Sequence, residues 1–246
     1  MGFGDASFQT RQKIGVWGEA TTKRYFDNHP EHGITALNYG EASSSTKKSQ
    51  KDAVCRPDLL LIETEKINEL EREGVPVREM NLRDMDDSDP RMVKIVDAAL
   101  VGLEAKFSHR EYREGRVNFI IDENRKLRYE TWLSRTRRIG TVMVWFTTNR
   151  AFIATEDKVL SEGKEEVRSY EQRGKSAREK KTWNLPVERA DPFANVIGYK
   201  LNETFKPSFR MTESGAIGFD VDDDPGDLED VRIDRLKTLA REVKRA

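Results

Sequence analysis

Four consecutive aliphatic residues, Leu59-Leu60-Leu61-Ile62, constrain the fold more than any other feature of the chain. A strand alternates its side chains between two faces, so an unbroken apolar run offers no polar face to water. Such a run suits a strand that is covered on both sides. The 246 residues are enough for one large α/β domain or for a domain with an appendage. Hydrophobic residues make up 36% and charged residues 35%. A compact core inside a densely charged periphery follows from that balance.

A second apolar stretch, LVGLEAKFS at residues 100–108, carries charge inside it. Alternation sends Leu103, Ala105 and Phe107 one way, and Gly102, Glu104, Lys106 and Ser108 the other. The first face can pack on a helix. The second sets a carboxylate beside an ammonium group, with room left at Gly102. Asp58, just after Pro57, stands at the entrance of the aliphatic strand, and pairing the two strands would bring it next to Glu104. Two adjacent carboxylates resist ionising together. A hard divalent cation such as Mg²⁺ resolves that conflict. Phosphodiester hydrolysis needs this equipment: a cation to stabilise developing charge, and a positioned water that Lys106 would orient.

Glu-x-Lys alone is a weak signal here, because it recurs at Glu156/Lys158, Glu162/Lys164, Glu179/Lys181 and Glu242/Lys244. Glu104 is selected by its place in an alternating apolar strand and by the Pro-Asp pair on the strand before it. Glu156 with Lys158 is the rival, and Asp97 is the substitute acid if Asp58 does not serve. Around these strands the pattern predicts a helix from Gln12 to about Asn28 and a polar loop over 41–53. A short charged helix follows over 64–74, then an acidic loop over 83–91. NFIID reads as a strand, residues 123–140 as a helix closed by Gly140, and TVMVWFTT and AFIATED as strands. Residues 161–181 read as a solvated helix or a disordered segment, and 231–246 as an amphipathic helix after an acidic stretch. The expected architecture is α/β, with one central mixed sheet flanked by helices.

These residues resemble the PD-(D/E)XK nucleases. RPD at 56–58 and LEAK at 103–106 carry the resemblance. GVWGEA at 15–20 resembles the first motif, in which a helix glutamate, here Glu19, approaches the metal. The run from Ala99 to about Val159 looks most like type II restriction endonucleases. The resemblance implies a restriction-endonuclease-like core over 1–155, with an insertion at about 64–95 and a C-terminal extension over 156–246. It implies Mg²⁺-dependent cleavage of double-stranded DNA, with Mn²⁺ as a substitute ion. Asp58, Glu104 and the carbonyl of Ala105 would hold the metal, with Lys106 and Glu19 completing the catalytic set. A homodimer would cut a palindromic site, and the protective DNA methyltransferase would be a separate protein. A Holliday-junction-resolvase-like repair nuclease and a catalytically inactive DNA-binding protein are the alternatives.

His109, Arg110, Arg113 and Arg116 follow the active strand and would meet DNA phosphates. Glu111 and Glu114 interleave them, so a solvated turn also accounts for the segment. Trp17, Trp132 and Trp145 read as core residues. One cysteine, Cys55, rules out a disulfide framework within the chain. With no signal pattern and no apolar run of roughly 20 residues, a cytoplasmic protein without a membrane partner is expected.

Overall fold

The structure, a computed structural model, describes residues 17–40, 56–107, 112–115, 117–127, 130, 139–170, 178–197, 208–211, 217–220 and 227–245. Helix α1 (17–28) leads into β1 (Ile34–Asn38) and β2 (Leu59–Glu63). Helices α2 (Thr64–Arg72) and α3 (Pro90–Ala98) separate β2 from β3 (Val101–Phe107). Then come β4 (Asn118–Asp122), α4 (123–127), β5 (Thr141–Phe146), β6 (Arg150–Thr155) and α5 (Glu156–Glu162). Strands β7 (Lys164–Tyr170), β8 (Arg178–Pro186) and β9 (Asp191–Ile197) follow. A hairpin of β10 (Ser208–Met211) and β11 (Ile217–Asp220) precedes β12 (Asp227–Glu229) and helix α6 (Ile233–Arg245).

Seven strands form one mixed sheet in the order β1-β2-β3-β5-β6-β9-β12. Only β3 and β5 pair in parallel; the other neighbours are antiparallel. The protein is thus α/β, with a mixed central sheet flanked by helices. Leu59 to Ile62 are fully buried, as a doubly covered strand requires. Leu59 and Leu61 join Val101, Leu103, Ala105, Val142, Val144 and Phe146 on the face packed against α1 and α6. Leu60 and Ile62 point the other way, into the cluster made by α2 and α3. Farther along that second face, Met143, Phe152 and Ala154 pack under β4, β8 and α5. Strands β4, β8 and β7 make a separate three-stranded antiparallel sheet. The second face is therefore covered twice, by helices over one half and by a small sheet over the other.

Several local expectations are corrected. The acidic loop expected over 83–91 is shorter: 85–89 are turns and bends between a 3-10 turn ending at Asp84 and α3, which starts at Pro90. Asp89 caps α3 through the Arg91 N–H at 2.9 Å, and Pro90 occupies the first turn. Met92, Ile95 and Val96 form the buried stripe of α3. The described part of 161–181 is mostly strand rather than a solvated helix: 161–162 end α5, and β7 and β8 take up most of the rest. Opposite charges support that pairing, with Lys181 2.9 Å from Glu165. Strand β1, at one edge of the sheet, was not expected at all. Residues after 155 supply β9, β12 and α6 to the central sheet and its cover. No helix among the described residues is long and apolar enough to cross a membrane.

Gly140 explains how α6 closes the first face. A Cβ there would overlap the Val243 side chain, meeting its Cγ2 at 2.9 Å. The glycine permits close approach of helix and strand. Gly140→Ala is expected to cost about 1–3 kcal/mol of stability by overpacking. Val243→Ala in that background should restore part of the loss in urea unfolding. No recovery in the double variant would show that α6 does not rest on this strand.

Candidate functional site

On the second face of the sheet, β3 carries the candidate site between the helical cover and the small sheet. Leu103, Ala105 and Phe107 point to the first core, so Gly102, Glu104 and Lys106 belong to the second face. Strand β2 pairs with β3 so that Leu59 faces Leu103. One residue further, that register sets Asp58 opposite Glu104. The Asp58 carboxylate accepts the Ala105 N–H at 2.8 Å, which locks it against the middle of β3. The two acids converge.

The backbone at Asp58 is held from both sides. Its carbonyl accepts the N–H groups of Tyr39 and Gly40 at 3.0 and 3.1 Å. A Cβ on Gly40 would lie 2.9 Å from the Pro57 carbonyl oxygen, so only glycine fits that approach. Arg56 donates to the carbonyls of Leu82 and Met85 and pairs with Asp87 at 2.8 Å. It stacks over Tyr39, 4.9 Å from the ring centre. The residues before the aliphatic strand are therefore anchored to the segment 82–87.

Glu104 is only 3% exposed, a high cost for a carboxylate unless cations attend it. Lys106 bonds its Oε1. Arg125 of α4 lies 3.1 Å from its Oε2, an ion pair without a well-directed hydrogen bond. Burial pushes the Glu104 carboxyl up, but Arg125 and Lys106 together outweigh it and hold it below its ordinary range. Burial likewise opposes the charge on Lys106, yet Glu104 and then Asp58 keep that amine above its usual value. Asp58 fares differently. Burial first, then the charge of Glu104, pushes its carboxyl up to about 8, against the pull of Lys106.

Three further groups complete the constellation. Arg125 also clamps Glu156, with Nε 2.8 Å from Oε1 and Nη2 3.1 Å from Oε2. Glu156 is fully buried at the start of α5, and burial raises its carboxyl despite Arg125. Glu19 of α1 is 8% exposed, adds to the negative field at Asp58, and meets Arg83 at 3.2 Å. Four carboxylates thus face three cationic side chains.

The structure brings Asp58, Glu104, Ala105, Lys106 and Glu19 together. Asp97 is exposed on α3 and Arg113 is exposed on the turn before β4. His109, Arg110 and Arg116 lie outside the described residues. Arg125 and Arg83 went unrecognised in the sequence, and Glu156, the rival acid, enters the same cluster through Arg125. A local signal for Arg125 existed: Asp122 accepts its N–H at 2.8 Å, as the capping residue of a helix start does. Trp17 belongs to the core, edge-on to Phe107 at 5.1 Å.

The donor set suits a hard cation: the half-buried Asp58 carboxylate, held on the Ala105 N–H, and the sealed Glu104 carboxylate offer oxygen donors from neighbouring strands. Among the described residues the three acids do not form a closed cluster of ligand atoms within 4.8 Å. Glu104 and Glu19 are turned to Lys106, Arg125 and Arg83 instead. A scan against protein-family models, a search of curated proteins and a search of solved structures each find no match.

Arg125 is the organiser of this buried network. Arg125→Ala leaves Glu104 and Glu156 without their shared cation and is expected to cost about 3–5 kcal/mol. Arg125→Ala combined with Glu156→Gln should recover part of that, because one stranded charge is gone. Chemical denaturation of the three variants measures both steps. A loss below about 1 kcal/mol for Arg125→Ala would contradict the assignment.

Proposed function

We propose that the chain is a Mg²⁺-dependent endodeoxyribonuclease of the PD-(D/E)XK kind, acting as a type II restriction endonuclease. The observation that carries this reading is the meeting of Asp58 and Glu104 from adjacent antiparallel strands, with Lys106 two residues on and on the same face. The placement of Glu19 on α1 and the parallel pairing of β3 with β5 across a helix-containing connection support it as well.

In this reading Asp58, Glu104 and the Ala105 carbonyl hold the metal. The ion would stabilise the charge that develops on the phosphate. Lys106 supplies a fixed ammonium beside the attacked phosphorus and orients the water. Its strengthened charge suits the role of electrostatic stabiliser better than that of proton acceptor. Arg125 holds Glu104 in place from behind. Asp58, whose carboxyl burial and the Glu104 charge push up to about 8, would find in such an ion the opposite charge its surroundings lack. Double-stranded DNA is the substrate, a homodimer the working unit, the cytoplasm the working compartment and a separate DNA methyltransferase the protective partner. Mn²⁺ replaces Mg²⁺.

Incubating the purified chain with plasmid and phage DNA in Mg²⁺ or Mn²⁺, then sequencing the ends, tests the reading. Discrete reproducible fragments are expected. Glu104→Ala and Lys106→Ala should each remain folded and lose roughly 10²–10³-fold or more in cleavage rate. Cleavage that Glu104→Ala leaves intact would refute the assignment. Nicking only at branched junctions would move the protein to the resolvase-like alternative. Binding without cleavage would favour an inactive DNA-binding protein.

A further inference from the structure

A second cluster lies at the opposite end of α1 from Glu19. The chain has three histidines, and two of them, His29 and His32, fall within four residues. With Glu31 they offer three ligand atoms within 4.8 Å of one another. We infer that His29, Glu31 and His32 form a binding site for a divalent transition metal, with Zn²⁺ as the best-suited ion.

The donor chemistry is the first argument. Two imidazoles and one carboxylate are a ligand set that Zn²⁺ accepts, leaving a fourth position open. The spacing is the second. His29 Nδ1 and Glu31 Oε1 stand 2.8 Å apart. Ligands around a four-coordinate zinc, with bonds of about 2.0–2.1 Å, sit roughly 3.3 Å from each other. Replacing the shared hydrogen bond by an ion needs only a small opening.

Preorganisation is the third argument. Residues 30–32 form one tight 3-10 turn that begins at Pro30 and ends at Gly33, whose positive φ of 66° suits glycine. The turn is tied at its end, where the Gly33 carbonyl accepts the Thr64 N–H at 2.9 Å. Lys237 of α6 donates to the His32 carbonyl at 3.2 Å. Tyr25 holds the His32 ring, its hydroxyl 2.8 Å from Nε2, so Nδ1 is the nitrogen that remains to bind an ion. The Tyr25, His29 and His32 rings are mutual neighbours, with centres 4.5–5.7 Å apart. Beside the cluster a groove of about 550 Å³, lined by Glu31, His32, Arg232, Arg235 and Lys237 among others, gives access from solvent. An ion here would clip the end of α1 to the start of β1.

Zinc chloride titrated into the untagged full chain, followed by calorimetry and by thermal unfolding, tests the site. Asp58→Ala/Glu104→Ala serves as the background, so that the acids of the other cluster do not contribute. One equivalent of Zn²⁺ is expected to bind and to raise Tm. His29→Ala and His32→Ala should each weaken binding by tenfold or more, and Tyr25→Phe by roughly tenfold. Co²⁺ in place of zinc should give the visible absorption of a four-coordinate ion only when both histidines are present. Absence of binding at micromolar zinc, or binding unchanged in His29→Ala/His32→Ala, would overturn the inference.

Discussion

A glutamate that is 3% exposed in the floor of a sheet must be neutralised from within the protein. Glu104 meets that requirement with two cations from different elements, Lys106 of its own strand and Arg125 of α4. The rest of the second face follows from this. Arg125 can serve Glu104 only if α4 lies over the sheet, and Glu156 then anchors α5 to the same guanidinium. On the other side Arg83 joins the segment between α2 and α3 to Glu19 of α1. Five segments far apart in sequence thus meet around one electrostatic cluster. In a medium less polar than water such contacts are strong, and a missing partner is correspondingly costly.

The central strands were legible because their patterns are local. The four aliphatic residues of β2 and the alternation of LVGLEAKFS each state which faces are covered, and the two cores divide those side chains as the alternation requires. Asp58 opposite Glu104 follows from the same register. Other parts were hidden for physical reasons. Strand β7 is mostly charged and exposes Val167 at 58%, so no apolar alternation marks it; its partner β8 and cross-strand ion pairs hold it. Helix α3 hid behind acidic residues, although Asp89-Pro90 is a start signal when read for capping rather than for charge. Arg125 and Arg83 gain their roles from partners 21 to 64 residues away. No window of sequence reports which acid a long side chain will reach.

Residues 64–95 show how chain outside the central sheet positions a group within it. Residues 64–95 form their own apolar cluster with the outward face of β2. From that platform the carbonyls of Leu82 and Met85, together with Asp87, grip Arg56, two residues before Asp58. Gly40 closes in from β1 on the other side. The acid is therefore positioned by backbone contacts that a helix or a strand end supplies, rather than by the conformational freedom of a loop.

Exposure within the cluster has a direction. Glu104 is nearly sealed, whereas the Lys106 side chain is 40% exposed at the same end of β3. A ligand reaching this end of β3 would meet the more exposed ammonium group before the sealed carboxylate. For an anion this order is favourable: the cation attracts it, and the buried acid is screened until a metal compensates it. For a bare metal ion the order is adverse, because Lys106 repels it and already occupies one oxygen of Glu104. Under the nuclease reading, metal and phosphate then gain most by entering together, since each offsets the charge that the other meets in the cleft. Affinity for Mg²⁺ alone would accordingly be weak, and DNA would strengthen it by reciprocal linkage.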